Sequence, residues 1–119
     1  MGDFMDCIFC KIIDGDIPCK KIFESESVLA FHDINPKAPV HALIVPKIHV
    51  QDINSLDSEH SAFIADIFKS IPEIAKILDV YASGYRIVTN NGKNSGQEVF
   101  HLHFHLLGGA PLGVDLEKL

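Results

Sequence analysis

One stretch, His101-Leu102-His103-Phe104-His105-Leu106-Leu107, limits what this chain can fold into more than any other. A β-strand rises about 3.3 Å per residue and sends successive side chains to opposite faces. Read as a strand, the stretch places Leu102, Phe104 and Leu106 on one face and His101, His103 and His105 on the other, with same-face neighbours roughly 7 Å apart. The apolar face must cover a core. The histidine face has no such plain purpose, because Lys, Glu or Thr would meet solvent at lower cost. Imidazole titrates near neutral pH, so this grouping points to a metal site or to phosphate chemistry. Packing alone is a poor account, since each buried ring would need its own hydrogen-bond partners.

Such a strand needs a sheet, and the rest of the sequence supplies one. Residues 20–24 and 28–32 read as strands divided by a polar turn. Asn35-Pro36-Lys37-Ala38-Pro39 must be a loop, because its prolines fix φ and remove donors. His41-Ala42-Leu43-Ile44-Val45-Pro46 is a near-continuous apolar run, which predicts a central strand ended by Pro46. Residues 84–90 predict another strand and residues 91–96 a turn-rich loop. Residues 97–107 return as the histidine strand, forming a hairpin that Gly108-Gly109 ends. Ile8, Phe9, Ile12 and Ile13 recur at near-helical spacing and predict a short helix stopped by Asp14-Gly15-Asp16. Phe63, Ile64, Ile67, Phe68, Ile71, Ile74, Ala75 and Leu78 follow the helical period and predict one long helix over roughly 58–79, capped by Asp57 or Ser58, with Pro72 kinking or splitting it. Residues 110–119 are a tail. Hairpin-joined strands with one long helix define an α+β class with an antiparallel sheet.

The totals narrow the function. A chain of 119 residues, 47% apolar, suits one domain over 1–119 with a single core. A net charge of −6 with Arg86 as the one arginine argues against gripping a nucleic-acid backbone. A single nucleotide remains open, because backbone N–H groups and neutral side chains can hold one phosphate. The apolar segments are too short to span a bilayer, and the N-terminus has no signal-peptide pattern. Met1-Gly2 hints at myristoylation, but Asp6 sits where Ser or Thr is wanted. Three cysteines fit a reducing compartment better than a disulfide scaffold, which places the chain in the cytoplasm, with the nucleus also open.

The histidines by themselves leave two sharp readings. Two imidazoles two apart on a strand can chelate zinc. Alternatively, neutral imidazole can attack phosphorus with its free nitrogen, and the resulting phosphorylated ring is labile to water. The loop upstream favours the second. Asn90, Gly96 and Gln97 lie in or beside a glycine-containing turn, and such turns aim backbone N–H groups at an anion.

The run Gly96-Gln97-Glu98-Val99-Phe100-His101-Leu102-His103-Phe104-His105-Leu106-Leu107-Gly108-Gly109 resembles the signature of the histidine-triad (HIT) nucleotide-binding proteins, the Hint branch in particular. Cys7-Ile8-Phe9-Cys10-Lys11-Ile12-Ile13, Phe31-His32-Asp33-Ile34 and Val45-Pro46-Lys47-Ile48-His49 fall in that branch's order, so the resemblance covers essentially the whole chain. It implies a HIT-like fold with a five-stranded antiparallel sheet continued across a homodimer. It implies a hydrolase that cleaves P–N bonds of purine nucleoside 5′-phosphoramidates and releases the nucleoside monophosphate, AMP or GMP. His103 would be the nucleophile. His105, Asn90 and the backbone around Glu98-Val99 would hold the phosphate oxygens, joined by the turn at Gly96 and Gln97. His101 would support the site and His41 would orient the cluster. Asp33 would accept the ribose hydroxyls. Ile8, Phe9, Phe31, His32, Ile34 and Leu43 would line a slot for the purine, since a flat base needs apolar walls. No cofactor is implied for catalysis.

Three departures stand out. Glu98 replaces the Ser of animal Hint proteins, and a carboxylate beside a phosphate is unfavourable, so Glu98 is expected to turn away and offer its N–H alone. The tail lacks the Trp of the animal branch. Cys7 and Cys10 form a C-x2-C pair that not every member carries. By spacing alone they read as reduced core thiols. The resemblance implies that, where zinc binds, the ligands are Cys7, Cys10, His49 and His101, a structural set. Cys19 has no visible partner, His60 should face solvent on the long helix, and His32 should pack near the base edge. The alternatives are a dinucleoside polyphosphate hydrolase, or a nucleotide- or zinc-binding interaction module whose hydrolysis is incidental.

Overall fold

The computed structural model describes residues 6–114, so the Met1-Gly2 pair and the last residues of the expected tail lie outside it. Five strands form one antiparallel sheet: β1 (Lys21–Glu24), β2 (Val28–His32), β3 (Val40–Pro46), β4 (Tyr85–Val88) and β5 (Phe104–Gly108), in the spatial order β1-β2-β3-β5-β4. Two α-helices accompany it, α1 (Ile8–Ile13) and α2 (Ser61–Ile77).

The two faces of the sheet are covered by different helices, and this explains the unbroken apolar run in β3. Ala42 and Ile44 join Val28, Ala30, Phe104 and Leu106 in a core beneath α2, whose Ile67, Ile71, Ile74 and Ala75 are buried there. Leu43 and Val45 face the other way, into a second cluster with Leu29, Phe31 and, from the α1 end, Cys7 and Phe9. Fully burying a side chain such as Ile44 or Leu106 stabilises the fold by roughly 2 kcal/mol. The alternation read in the histidine stretch is therefore real. Leu102, Phe104 and Leu106 belong to the α2 core, which turns the imidazoles to the α1 side.

Helix α1 starts at Cys7, whose sulfur accepts the Cys10 N–H at 3.4 Å, and stops at Asp14 and Gly15, where φ is +85°. Glycine takes that left-handed conformation without steric cost. Helix α2 begins three residues later than expected, after a 3₁₀ turn Ser58–His60 capped by Asp57. His60 is the reciprocal half of that cap, its Nδ1 accepting the Asp57 N–H at 3.1 Å, so it is not the solvent-facing helix residue that the sequence suggested. Pro72 does not split α2, which runs through it as one helix.

The histidine strand is shorter than expected. Pairing of β4 with β5 runs from Tyr85↔Gly108 to Val88↔His105 and goes no further. Beyond it the backbone bonds elsewhere. The Thr89 hydroxyl donates to the His103 carbonyl at 2.7 Å, and the Leu102 N–H donates to the Val50 carbonyl at 2.7 Å. Residues 97–103 thus lie outside the sheet, with Leu102 bonded to the segment after β3, so β4 and β5 are not joined by a tight hairpin.

Candidate active site

Cross-strand register sets the first part of the site. Phe31 faces Leu43 across β2 and β3, and Leu43 faces His105 across β3 and β5, so an apolar row ends at an imidazole on the α1 side. His41, His101, His103 and His105 are all buried, with 3%, 0%, 7% and 7% of their surface exposed. Phe9 of α1 lays its ring edge-on to His103, with centroids 5.0 Å apart.

Hydrogen bonds fix the tautomer of each ring. His103 Nδ1 lies 2.7 Å from the His101 carbonyl, and His101 Nε2 lies 3.0 Å from the Pro46 carbonyl. A carbonyl only accepts, so both nitrogens carry protons, and His103 Nε2 and His101 Nδ1 keep lone pairs. The chain through His41 runs in the opposite sense. The Lys37 backbone N–H donates to His41 Nδ1 at 3.0 Å, which leaves the neutral ring's proton on Nε2. That N–H meets His105 Nδ1 at 2.9 Å, so His105 carries its own proton on Nε2. Neighbouring rings with centroids 5.1 Å apart therefore have opposite characters: His103 offers a lone pair and His105 an N–H donor.

The rings stay neutral in the fold. Burial is the first cause in each case. It holds His103 and His41 below the usual imidazole range, against the pull of the Asp33 carboxylate, which lies 3.4 Å from His41 Nε2. Burial, with the neighbouring His103 and His41, takes His105 down to about 4. Burial likewise takes His101 to about 4.

An open cleft of about 1170 Å³ lies over this floor. Ile8, Phe9, Phe31, His32, Ile34 and Leu43 line one end, with Asp33 beside them. Asn90, Gly96, Gln97, Glu98 and Val99 form the opposite wall, and His41, His103 and His105 lie between. Ile34 is 91% exposed, which puts it on the rim. Gly96, with φ of +87°, supplies the left-handed turn in that wall. The Gln97 amide is fully engaged: its oxygen accepts the Gly92 N–H at 2.7 Å, and its nitrogen donates to the Gln51 and Val99 carbonyls at 3.0 and 3.1 Å. Its side chain ties down the loop. Glu98 belongs to the cleft wall and is exposed.

Several cleft residues escaped the sequence reading. Ile12 lies one helical turn from Ile8, so the periodicity already held it. Ile17, Pro18, Cys19, Lys20 and the loop residues Asn35, Pro36 and Lys37 also line the cleft, and only tertiary packing brings them there. Nothing in the sequence signals that the N–H of Lys37 or the hydroxyl of Thr89 sets a histidine.

His101 is not on the cleft. Its ring turns toward the thiols, with Nδ1 3.4 Å from Cys7 Sγ and 3.6 Å from Cys10 Sγ, while His49 Nδ1 lies 3.3 Å from Cys10 Sγ. One donor atom from each of these four residues lies within 4.8 Å of all the others. Burial, then the neighbouring Cys7, pushes the Cys10 thiol up to about 12. Two thiols and two imidazole nitrogens around one point fit a soft divalent cation. Asp33, His41 and His105 also converge within 4.8 Å. There both His41 nitrogens are already in hydrogen bonds, so that group is a proton-ordered chain and not a ligand set.

Fold and site together define a HIT-fold protein that resembles the HIT family hydrolases. Residues 14–112 match the HIT domain model, and the chain belongs to that family. A HIT-like protein of Helicobacter pylori is 51% identical over 102 residues, covering 86% of this chain and 95% of its own. The purine nucleoside phosphoramidase of Escherichia coli is 40% identical over 108 residues, covering 91% of either chain. Among solved structures, a HIT family hydrolase from Legionella pneumophila superposes with a TM-score of 0.88 at 42% identity, covering 92% of this chain and 98% of that one. No helix among the described residues is long and apolar enough to cross a membrane.

Proposed function

We propose that this chain hydrolyses purine nucleoside 5′-phosphoramidates through a nucleotidyl-histidine. The observation that carries the reading is the bond from His103 Nδ1 to the His101 carbonyl, which leaves Nε2 unprotonated on a residue that lines a cleft with an apolar slot at one end. The purine enters the slot between Ile8, Phe9, Phe31, His32, Ile34 and Leu43. Asp33 accepts the ribose hydroxyls. The α-phosphate then rests over His103, held by His105, Asn90 and the backbone N–H groups at Glu98 and Val99, while the Gly96 N–H closes its own turn on the Lys93 carbonyl at 3.1 Å.

The lone pair of His103 Nε2 attacks phosphorus, the P–N bond breaks, and the amine leaves with that electron pair and takes a proton from solvent. The ring becomes cationic, and its Nδ1–H bond to the His101 carbonyl strengthens as it does so. His105 Nε2–H faces the charge gathering on the phosphoryl oxygens. Water then attacks phosphorus, the P–Nε2 bond breaks, its electron pair returns to the ring, and the nucleoside monophosphate leaves with release of a proton. Cys7, Cys10, His49 and His101 would hold zinc; bound there, it would lock α1 and the segment after β3 to the backbone of the nucleophile, with no part in the chemistry.

Two copies would pair through the open edge of β4, since an edge strand presents unpaired backbone groups. Sedimentation of the purified protein as a dimer supports this, and a monomer at micromolar concentration overturns it. The reaction is tested by acid-quenching turnover of an adenosine 5′-phosphoramidate and mapping the product by mass spectrometry. A nucleoside monophosphate adduct on His103 is expected; repeated turnover without one defeats the reading. Faster cleavage of a diadenosine polyphosphate than of the phosphoramidate would assign the sister activity instead.

A further inference from the structure

We infer that Glu98 makes this cleft selective for leaving amines that carry a second, positively charged ammonium. The inference rests on the hydrolase reading above and adds to it the class of leaving group.

His103 is buried on the cleft floor, 7% exposed. Displacement at phosphorus is in line, so the departing nitrogen lies on the side of phosphorus away from His103, toward the mouth. The charges around that mouth are unevenly placed. Lys20 and Lys37 belong to the segments that flank the base slot. The wall that carries Asn90 to Val99 contributes one charged residue to the cleft, Glu98. Glu98 is exposed and makes no hydrogen bond or ion pair among the described residues. The neighbouring Gln97 side chain fastens this wall to the Gly92, Gln51 and Val99 backbone, so position 98 is held at the cleft.

A carboxylate facing a phosphoryl anion is unfavourable unless a cation stands between them. A phosphoramidate with a neutral alkyl amine leaves that repulsion in place. One whose amine bears a distal ammonium puts a positive charge at the mouth, between the phosphoryl group and Glu98. The selectivity is electrostatic and partly exposed, so its size is modest and falls with salt.

The test compares two near-isosteric substrates, adenosine 5′-monophosphate N-(3-aminopropyl)amidate and N-butylamidate, at low and high ionic strength. The wild-type protein should show a kcat/KM for the ammonium substrate about five- to tenfold above that for the butyl one, shrinking in high salt. Glu98→Gln should remove most of that ratio by slowing the first substrate and speeding the second, and Glu98→Asp should restore part of it. Equal rates for the two substrates in the wild type, or a ratio that survives Glu98→Gln, overturns this inference and leaves the hydrolase reading intact. Turnover of neither substrate overturns the hydrolase reading and this inference with it.

Discussion

His101 and His103 sit two residues apart, are almost equally buried, and each donates one ring N–H to a backbone carbonyl. Their remaining nitrogens meet opposite surroundings. His101 Nδ1 points into a closed group of two thiols and a third imidazole, where a lone pair can bind a cation and go nowhere else. His103 lines an open cleft, where the lone pair left on its Nε2 can reach a substrate. The chemistry of a histidine is thus decided by which nitrogen the backbone takes and by what the other one faces.

The contrast is broken most forcefully at the rings themselves. His103→Asn should lower phosphoramidate turnover by roughly 10³-fold or more, as removal of a covalent nucleophile does, while nucleotide affinity by calorimetry stays within a few-fold. Near-normal turnover in that variant would remove the distinction between the rings. The closed side should fail differently. Protein purified without added zinc should contain about one zinc per chain by metal analysis, and Cys10→Ser should lose it with a Tm drop of about 10 °C. A metal-free wild type would return Cys7 and Cys10 to the role of packed thiols.

Acid sharpens what both sides share. His105 titrates at about 4 in the fold against 6.5 in an exposed chain, so between those values the unfolded state binds the proton first. Stability from keeping this ring neutral is complete above pH 6.5 and is lost as pH falls toward 4. Thermal melts taken stepwise from pH 7.5 to 4.5 should show Tm declining through that window, and a flat profile would contradict the buried neutral ring. The smallest effect is expected at Thr89→Val, which keeps the shape and removes the hydroxyl that holds the His103 carbonyl at 2.7 Å. It should cost about 1 kcal/mol, a Tm shift of a few degrees, with a smaller loss of turnover than any change to the rings.

Much of this was legible in one dimension. Alternation in residues 101–107 separated the core-facing Leu102, Phe104 and Leu106 from the histidines, because the period of a strand is imposed locally. The apolar run in β3 marked a central strand, and the isoleucines of α2 marked its buried stripe. The prolines placed the loop before β3. The expected strand over 97–107 was too long for a physical reason: alternation continues through Leu102, but its N–H and the His103 carbonyl find partners outside the sheet. Side-chain periodicity reports which face a residue takes, and says nothing about where its backbone bonds go.

What the sequence determined by itself was the α+β class, the core-facing set and the family, since these follow from short-range patterns and from residue order. Only the tertiary structure decided the state of each imidazole. The Pro46 carbonyl, the His101 carbonyl and the Lys37 N–H each choose one nitrogen, and two of those three groups come from far along the chain or from a loop whose prolines do not say which side chain its N–H will meet. A tautomer depends on the angle and distance of one polar atom, and that is fixed only when the strands, loops and α1 are packed together.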